Sequence, residues 1–442
     1  MKKNNIKKLS ILLVVMMTIF LSACTTKKEE IEENKEEEIV EEKRLIIGNE
    51  RFEEYLPLLE GKRVALFTNQ SGIVGFDMSK QIDDKVSFDQ YPTEGEHILD
   101  VLLEKEVDVR LVFVPEHGFR GESDAGETVS DEIDPKTGIP IVSLYGQRDG
   151  HIGEEEADLF DVLVCDIQDL GVRFYTYYIS MFKLMEDCAR YDKTFIVLDR
   201  PDPNGFYVDG PILKEGYESE VGIIPIPVVY GMSIGELALM IEKEGWLSCG
   251  TGVLDLKVIG CLNYDHHMEI VLPCKPSPNI KDMRAVYLYP SLCFFENTLV
   301  SVGRGSGHPF EIYGSPYLKD EAGYDFVFVP EDMAGAYDPL FEGESCYGKD
   351  LRDLSKEELR KGIIDLEYLI STYQLIHESY PELSFFGEPD YYGRYWIDLL
   401  SGSDELRTMI IEGKDSDEIR ESWKEDLTAF KELRSRYLIY PD

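Results

Sequence analysis

Residues 162–199 read VLVCDIQDLGVRFYTYYISMFKLMEDCARYDKTFIVLD. The segment opens with an unbroken apolar run, Val162 to Asp166, and closes with a second one, Thr194 to Asp199. Such runs are typical of strands that are buried on both faces. Between them, a stretch from Thr176 to Arg190 carries apolar residues at helical spacing, namely Met181, Leu184, Met185 and Cys188. A strand, a helix and a second strand in this order predict a parallel sheet covered by helices.

The same pattern continues on both sides of this unit. Further apolar runs of strand length are Arg63 to Thr68, Val109 to Val114 and Ile139 to Leu144. Downstream, Ser233 and Glu236 have the spacing of a capping box, which predicts a helix from Ile234 to Lys243. The predicted fold class is therefore α/β, with a Rossmann-like parallel sheet domain over residues 45–265.

Residues 266–442 differ in composition from the preceding residues, because aromatic, proline and glycine residues become frequent. We expect a smaller C-terminal α+β domain there, which completes a cleft with the first domain. Helices are predicted over Ser355 to His377 and over Ser416 to Ser435. The adjacent His266 and His267 lack the spaced partners of a metal site, so we expect them on the surface.

The N-terminus has the features of an export signal. Residues 1–23 combine a basic start with an apolar run that is too short for a comfortable transmembrane helix. The Leu-Ser-Ala before Cys24 resembles the lipobox of bacterial lipoproteins, in which that cysteine is acylated. Residues 24–44 are mostly Lys and Glu, which predicts a disordered acidic tether. We therefore expect an extracytoplasmic protein that is lipid-anchored to the bacterial membrane through Cys24.

Composition argues against several classes of function. The chain has 45 Lys and Arg against 86 Asp and Glu, a net charge of −41, and no basic stripe, so nucleic-acid binding is not expected. The cysteines other than Cys24 are not closely spaced, which argues against a disulfide framework and a CxxC metal site. Walker, HExxH and GxSxG motifs are absent from the sequence, so we expect neither a metal nor a cofactor.

Polar side chains follow the predicted strands, at the edge where the loops of a parallel sheet converge on a ligand. The side chains predicted at this edge are Asn69, Glu116, His117, Arg120, Asp166, Gln168, Arg173, Tyr175, Asp199 and Arg200. Carboxylates together with tyrosines and arginines favour carbohydrate chemistry, because glycoside cleavage needs a carboxylic acid that protonates the leaving oxygen, and commonly a second carboxylate. Glu116 is the predicted acid because it follows an apolar strand, where partial desolvation favours a protonated carboxyl, and His117 is expected to hold or tune it.

Longer motifs carry a resemblance to a known family. The most distinctive are PEHGFRG at residues 115–121, DIQDLGVRFYTY at residues 166–177 and SVGRG at residues 301–305. Further matching segments are Asp124–Glu127, Thr137–Pro140, Ser143–Gly146, Leu198–Pro201, Pro225–Pro227, Tyr230–Leu237, Pro276–Asn279 and Pro309–Phe310. Taken in chain order, the segments resemble the exo-β-N-acetylmuramidase family, formerly a domain of unknown function.

The resemblance implies a Rossmann-type domain, a smaller C-terminal part and a cleft between them. It implies an enzyme that releases N-acetylmuramic acid from the non-reducing ends of peptidoglycan fragments, with Glu116 and His117 in the active site. Arg173, Arg200 and Arg304 are then candidates for binding the lactyl carboxylate of muramic acid. The other residues expected to contact substrate are Asn69, Arg120, Asp124, Glu127, Tyr145, Asp166, Gln168, Tyr175, Asp199, Asn279 and Glu296.

Two questions stay open at this point. The second carboxylate could be Asp124, Glu127, Asp166 or Glu296, so the sequence does not distinguish a retaining from an inverting mechanism. The alternative is a non-catalytic lipoprotein that binds cell-wall sugars. Glu116 distinguishes the two functions, because a binding protein does not need a desolvated acid. A hydrolase of the stem peptide is less favoured, because the sequence has no zinc, serine or cysteine constellation for amide cleavage.

Overall fold

A seven-stranded sheet is the centre of the chain in the structure, a computed structural model that describes residues 44–92, 94–116, 118–119, 131–144 and 149–442. In chain order the strands are β1 (Arg63–Thr68), β2 (Ile73–Val74), β3 (Glu96–His97), β4 (Asp108–Val114), β5 (Glu132–Ile133), β6 (Pro140–Ser143), β7 (Val162–Asp166), β8 (Thr194–Leu198), β9 (Asp255–Ile259), β10 (Ile312–Ser315), β11 (Phe326–Phe328) and β12 (Cys346–Asp350).

The order of the strands in the large sheet is β5-β6-β4-β1-β7-β8-β9. β5 is antiparallel to β6, and the other neighbouring pairs are parallel. Counted along the chain, the parallel strands lie in the order third, second, first, fourth, fifth, sixth, which is the order of the Rossmann fold. All five residues of β7 are buried, as expected for a central strand with helices on both faces. The predicted α/β fold class is therefore confirmed.

The helices cover the sheet and form most of the C-terminal region. They are α1 (Phe52–Leu59), α2 (Ile98–Glu104), α3 (Glu154–Ala157), α4 (Tyr177–Arg190), α5 (Ile234–Lys243), α6 (Met283–Leu292), α7 (Lys356–Leu359), α8 (Glu367–Ser379), α9 (Trp396–Ser401), α10 (Glu405–Ile411), α11 (Ser416–Ser422) and α12 (Lys424–Arg434). Among the described residues, no helix combines the length and the apolar character needed to cross a membrane.

The capping box predicted before α5 is present. The backbone N–H of Glu236 donates to the Ser233 hydroxyl at 3.2 Å, and the Glu236 carboxylate accepts from the backbone N–H of Ser233 at 3.0 Å. The five predicted strands and the helix α4 also form, with ends that differ from the prediction by no more than one residue. Local sequence pattern is therefore sufficient for the elements of the first domain.

Two long helices predicted in the C-terminal region are wrong. The stretch from Ser355 to His377 divides into α7 and α8, because Gly362 has a φ of +73° and the backbone N–H of Ile364 donates to the Asp209 carboxylate at 2.7 Å. The stretch from Ser416 to Ser435 divides at the buried Trp423. At the first break a distant carboxylate accepts from a backbone N–H, and at the second the Trp423 side chain is buried in the apolar core.

The C-terminal region joins the first domain in one core. Residues 44–442 form one compact unit, and a single apolar cluster runs from Leu45 to Tyr440. The antiparallel sheet β10-β12-β11 lies in this region. His266 is fully buried with Nε2 at 3.2 Å from the Glu236 carboxylate, so the expected surface position is wrong for His266 and right for the exposed His267. The division at residue 265 stays a prediction.

Candidate active site

A cleft of about 710 Å³ opens at the carboxyl edge of the large sheet. One wall consists of residues that follow β4 and β7, and the other wall comes from the C-terminal region. Its polar and aromatic lining includes Glu116, Tyr175, Thr176, Tyr177, Glu220, Ser277, Asn279, Glu296, Asn297, Arg304, Phe310, Asp338 and Trp396. A concave site with convergent polar groups at this edge is the expected position for a ligand in an open parallel sheet.

Glu116 lies in the wall of this cleft, two residues after the end of β4. Its side chain is half-buried, and its Oε2 accepts a hydrogen bond from the hydroxyl of Thr176 at 2.8 Å. Thr176 is the residue before α4, and its hydroxyl makes no capping bond to that helix. The hydroxyl is therefore available to donate to the carboxylate. The carboxylate lies beside the N-terminus of a 14-residue helix, where negative charge is favoured.

The segment from Pro276 to Asn279 is fixed against the sheet by one carbonyl. The Pro276 carbonyl accepts hydrogen bonds from the hydroxyls of Tyr175 at 2.8 Å and Tyr177 at 2.9 Å. Burial raises the pKa of both tyrosines above their ordinary value, so both remain donors at neutral pH. Asn279 in turn donates to the carbonyl of Gly335 at 2.6 Å. The tyrosines thus set the position of the cleft wall that faces Glu116.

Glu296 and Arg304 form an ion pair in the same cleft. The Glu296 Oε1 accepts from Arg304 Nη2 at 2.5 Å, and the guanidinium lies 5.2 Å from the ring centroid of Phe310. Burial disfavours the charge of Arg304, but the attraction of Glu296 outweighs burial, and the pKa of Arg304 is raised. The cleft therefore holds a permanent cation among its carboxylates.

The predicted site residues fall into three groups. Those that line the cleft are Glu116, Tyr175, Asn279, Glu296 and Arg304. Those outside the described residues are Cys24, His117, Arg120, Asp124, Glu127 and Tyr145. Those that are buried elsewhere are Asn69, Asp166, Gln168, Arg173, Asp199 and Arg200.

The buried polar residues at the ends of β1, β7 and β8 bind one another or neighbouring residues of the chain. Arg200 donates to both oxygens of Asp166, at 2.6 Å from Nε and 3.0 Å from Nη2, and both side chains are inaccessible to solvent. The Asn69 side-chain oxygen Oδ1 accepts from the backbone N–H and the hydroxyl of Ser71, and the Gln168 side-chain amide donates to the backbone carbonyl of Pro201 at 2.9 Å. The crevice where the strand order of the sheet reverses is thus filled by side chains of the chain itself.

Arg173 and Asp199 also have structural partners. Arg173 donates to the carbonyls of Pro211, Ile226 and Leu400, which ties the loop after β7 to the C-terminal region. Asp199 accepts from the hydroxyls of Ser233 and Tyr440. Of the three arginines predicted to bind a lactyl carboxylate, the cleft is lined by Arg304.

Several cleft residues were not predicted from the sequence. Thr176 belongs to the motif DIQDLGVRFYTY, and its position in that motif is the sequence feature that could have identified it as a site residue. Glu220, Asp338 and Trp396 lie on loops or at a helix start in regions without strand pattern, and the sequence carries no signal for them. Across the described residues, no cluster of three or more His, Cys, Asp or Glu side chains has the arrangement of a metal site.

Comparisons with known proteins identify the family. The family model described as "Exo-beta-N-acetylmuramidase NamZ, N-terminal" matches residues 64–284, and its C-terminal counterpart matches residues 287–440. The curated peptidoglycan β-N-acetylmuramidase of Bacillus subtilis (strain 168) is 33% identical over 401 residues, which is 88% of this chain and 89% of that protein.

Two solved structures have the same fold. Both are DUF1343 family proteins of Bacteroides fragilis NCTC 9343. The first is 44% identical with a TM-score of 0.76 and covers 90% of this chain and 100% of its own. The second is 28% identical with a TM-score of 0.73 and covers 90% of this chain and 99% of its own. The matches confirm the resemblance that the motifs indicated, and the chain belongs to the exo-β-N-acetylmuramidase family.

Proposed function

We propose that this chain is an exo-acting glycoside hydrolase that releases N-acetylmuramic acid from the non-reducing ends of peptidoglycan fragments during cell-wall turnover and recycling. Membership of the exo-β-N-acetylmuramidase family supports the class of reaction. The observation that carries the assignment of the acid/base group is the position of Glu116, whose half-buried carboxyl group lines the cleft and is oriented by a hydrogen bond from Thr176. Glycoside cleavage needs a carboxyl group in the cleft that can protonate the leaving oxygen.

The proposed reaction passes through an oxocarbenium-like transition state. Glu116 donates a proton to the glycosidic oxygen as the bond to the leaving sugar breaks, and the anomeric carbon develops positive charge. Of the four candidates for the second carboxylate, Glu296 lines the cleft, whereas Asp166 is bound by Arg200. Glu296 is therefore our candidate for the carboxylate that stabilises this charge or activates water.

Arg304 is our candidate for recognition of muramic acid. The lactyl ether of this sugar carries a carboxylate, and a guanidinium can bind a carboxylate through two parallel hydrogen bonds. Glu296 already accepts from Arg304, so binding of the lactyl group would place the sugar directly beside Glu296. The same guanidinium would then orient both the substrate and the second carboxylate.

The decisive experiment measures release of free N-acetylmuramic acid from a muramic acid–N-acetylglucosamine disaccharide. The protein begins at Lys27, and its variants are Glu116→Gln and the control Glu60→Gln, whose side chain is exposed after α1. We expect release by the parent protein, a loss of about 10²-fold or more in Glu116→Gln, and parent activity in Glu60→Gln. If the parent and Glu116→Gln both bind the disaccharide and neither cleaves it, a non-catalytic sugar-binding lipoprotein replaces the enzyme.

We also propose that the protein is extracytoplasmic and lipid-anchored through Cys24. The lipobox-like residues before Cys24 support acylation, and the acidic tether up to residue 44 would extend about 60 Å at full stretch. Such a reach suits work on wall fragments near the membrane. Expression with a labelled fatty acid tests the proposal: the label and membrane fractionation should both be lost in Cys24→Ser. Membrane retention of an unlabelled Cys24→Ser protein would contradict it.

A further inference from the structure

Two neighbouring tyrosines lie exposed on the loop that precedes Trp396, a residue of the cleft lining. The side chains of Tyr391 and Tyr392 are 96% and 78% exposed, and their ring centroids are 5.4 Å apart at 84°. Single exposed apolar side chains are ordinary, but two adjacent aromatic rings present a contact surface with a polar hydroxyl on each ring. We refer to Tyr391 and Tyr392 as the tyrosine pair.

The loop that carries the tyrosine pair is fixed by its own side chains. The Asp390 carboxylate accepts from the backbone N–H of Tyr392 at 2.8 Å, and from the backbone N–H and Nε of Arg394, both at 2.9 Å. The Arg394 guanidinium also lies 5.2 Å from the ring centroid of Tyr392. The rings are therefore presented to solvent on a preorganised turn, which lowers the entropic cost of binding a ligand there.

The loop of the tyrosine pair is connected to two segments that line the cleft. Trp396 lines the cleft four residues after Tyr392, so the two residues are separated by at most about 14 Å. On the other side, Arg394 Nη1 donates to the carbonyls of Gly216 at 3.2 Å and Glu218 at 3.4 Å. The chain then runs from Glu218 to Glu220, which also lines the cleft. The loop is thus attached to the cleft at two points.

We propose that the tyrosine pair binds sugars of the glycan strand on the leaving-group side of the cleaved bond. This inference rests on the proposed exo-muramidase function. An exo-acting enzyme encloses the terminal sugar, so the rest of the strand must extend through the mouth of the cleft. The C–H faces of pyranose rings pack on aromatic rings, and the tyrosine hydroxyls can bond N-acetyl and hydroxyl groups.

The surface itself indicates a sugar as the occupant. Asp390 forms an ion pair with Arg394, so the groups that the loop offers to a ligand are the two exposed rings and their hydroxyls. The first sugar beyond the cleaved bond is a neutral N-acetylglucosamine, whose ring faces and polar groups suit such a surface. The expected consequence is a preference for longer glycan strands over the disaccharide.

Direct binding tests the inference without relying on catalysis. In a Glu116→Gln background, calorimetry compares a tetrasaccharide ending in muramic acid with the disaccharide, for the intact tyrosine pair, for Tyr391→Ser/Tyr392→Ser and for Tyr391→Phe/Tyr392→Phe. We expect the serine variant to raise the Kd of the tetrasaccharide about tenfold more than that of the disaccharide. The phenylalanine variant keeps the ring faces and should keep most of the preference. The control Leu159→Ser removes an exposed apolar side chain near the start of β7, at the opposite edge of the sheet, and should change neither Kd.

The outcomes separate the two proposals. Tetrasaccharide binding that is equal in the parent and the serine variant overturns the role of the tyrosine pair, whatever the hydrolysis assay shows. Self-association that is lost in the serine variant, together with unchanged glycan binding, also overturns it and identifies a contact between copies. Failure of the parent protein to cleave any muramic-acid-ended saccharide, with the tetrasaccharide preference intact, removes the catalytic proposal and leaves the sugar-binding surface.

Discussion

Thr176 is the residue whose removal tests how Glu116 is held. Its hydroxyl donates to the Glu116 carboxylate at 2.8 Å and makes no capping hydrogen bond to α4. We expect Thr176→Val to lower kcat about tenfold while KM changes less than twofold, because the carboxylate loses a hydrogen bond that orients it but the cleft keeps its shape. Steady-state kinetics on the disaccharide provides the measurement.

The conservative variant Thr176→Ser is the matched control. Serine keeps the donor and loses a methyl group, so activity should return to within about threefold of the parent protein. Equal losses of kcat in the valine and serine variants would mean that the methyl group matters for packing and that the hydroxyl does not hold Glu116.

Asp166 tests whether the pair it forms with Arg200 is structural. Both side chains are fully buried, so Asp166→Asn leaves Arg200 with an uncompensated charge. We expect the free energy of unfolding to fall by about 3–5 kcal/mol. The control is Asp161→Asn, which breaks the partly exposed pair with Arg63 and should cost about 1 kcal/mol or less. Urea denaturation measures both, and similar small losses would contradict a structural role for the buried pair.

The sequence predicted Glu116 as a site residue because it follows an apolar strand. In the structure it does follow a buried strand, at the edge of the sheet where the loops converge. Asp166, Asp199 and Arg200 satisfy the same rule, yet they bind one another or neighbouring elements. A polar side chain after a strand can point into a cleft or into the chain, and the difference depends on contacts between residues far apart in sequence. Such contacts are not visible in a single sequence.

At the scale of elements, Asp199 joins the end of β8 to α5 and to the C-terminal segment. Its carboxylate accepts from Ser233 at 2.6 Å, from the backbone N–H of Gly235 at 2.8 Å and from Tyr440 at 2.5 Å. Burial raises the pKa of Asp199 to about 6, although the hydrogen bonds from Ser233 and Tyr440 oppose the rise. The folded protein therefore binds this proton more tightly than the unfolded chain.

The raised pKa predicts a pH dependence of stability. Protonated Asp199 contributes to the free energy of unfolding. This contribution is fully present below the pKa of about 4 in the unfolded chain, and it is lost as pH rises through the pKa of about 6 in the folded protein. Asparagine matches the shape and can still bond these partners. Relative to Asp199→Asn, the parent protein should therefore lose roughly 3 kcal/mol of unfolding free energy between pH 4 and pH 7. Urea unfolding across this range measures the difference, and parallel stability curves would contradict the prediction.

Helix length in the C-terminal region was predicted less well than strand position in the sheet. The strands are specified by their own apolar residues, which are buried wherever the sheet forms. The break between α7 and α8 instead depends on Asp209, which accepts from the backbone N–H of Ile364 across 155 residues of sequence. A helical pattern cannot reveal that a distant carboxylate takes one of its backbone donors.

For the whole molecule, the net charge of −41 bears on substrate capture. The muramic acid carboxylate approaches a protein of like charge, and the repulsion acts over a Debye length of about 30 Å at 0.01 M salt and about 8 Å at 0.15 M. We therefore expect kcat/KM for the disaccharide to rise severalfold between these two salt concentrations. The methyl ester of the lactyl group is the control, because it carries no charge and should show no such rise. A fall in kcat/KM with salt would instead mean that attraction by Arg304 dominates the approach.

The bond between Tyr440 and Asp199 has a consequence for the order of folding. It joins residues 241 positions apart, and it supplies a buried carboxyl of the large sheet with one of its donors. While the chain is being synthesised from its N-terminus, the strands of the sheet can assemble, but the Asp199 carboxyl gains this donor only when almost all of the remaining chain has emerged. Completion of the first domain is therefore tied to arrival of the last helix and the residues after it, and a chain cut at residue 265 would lack part of its own core.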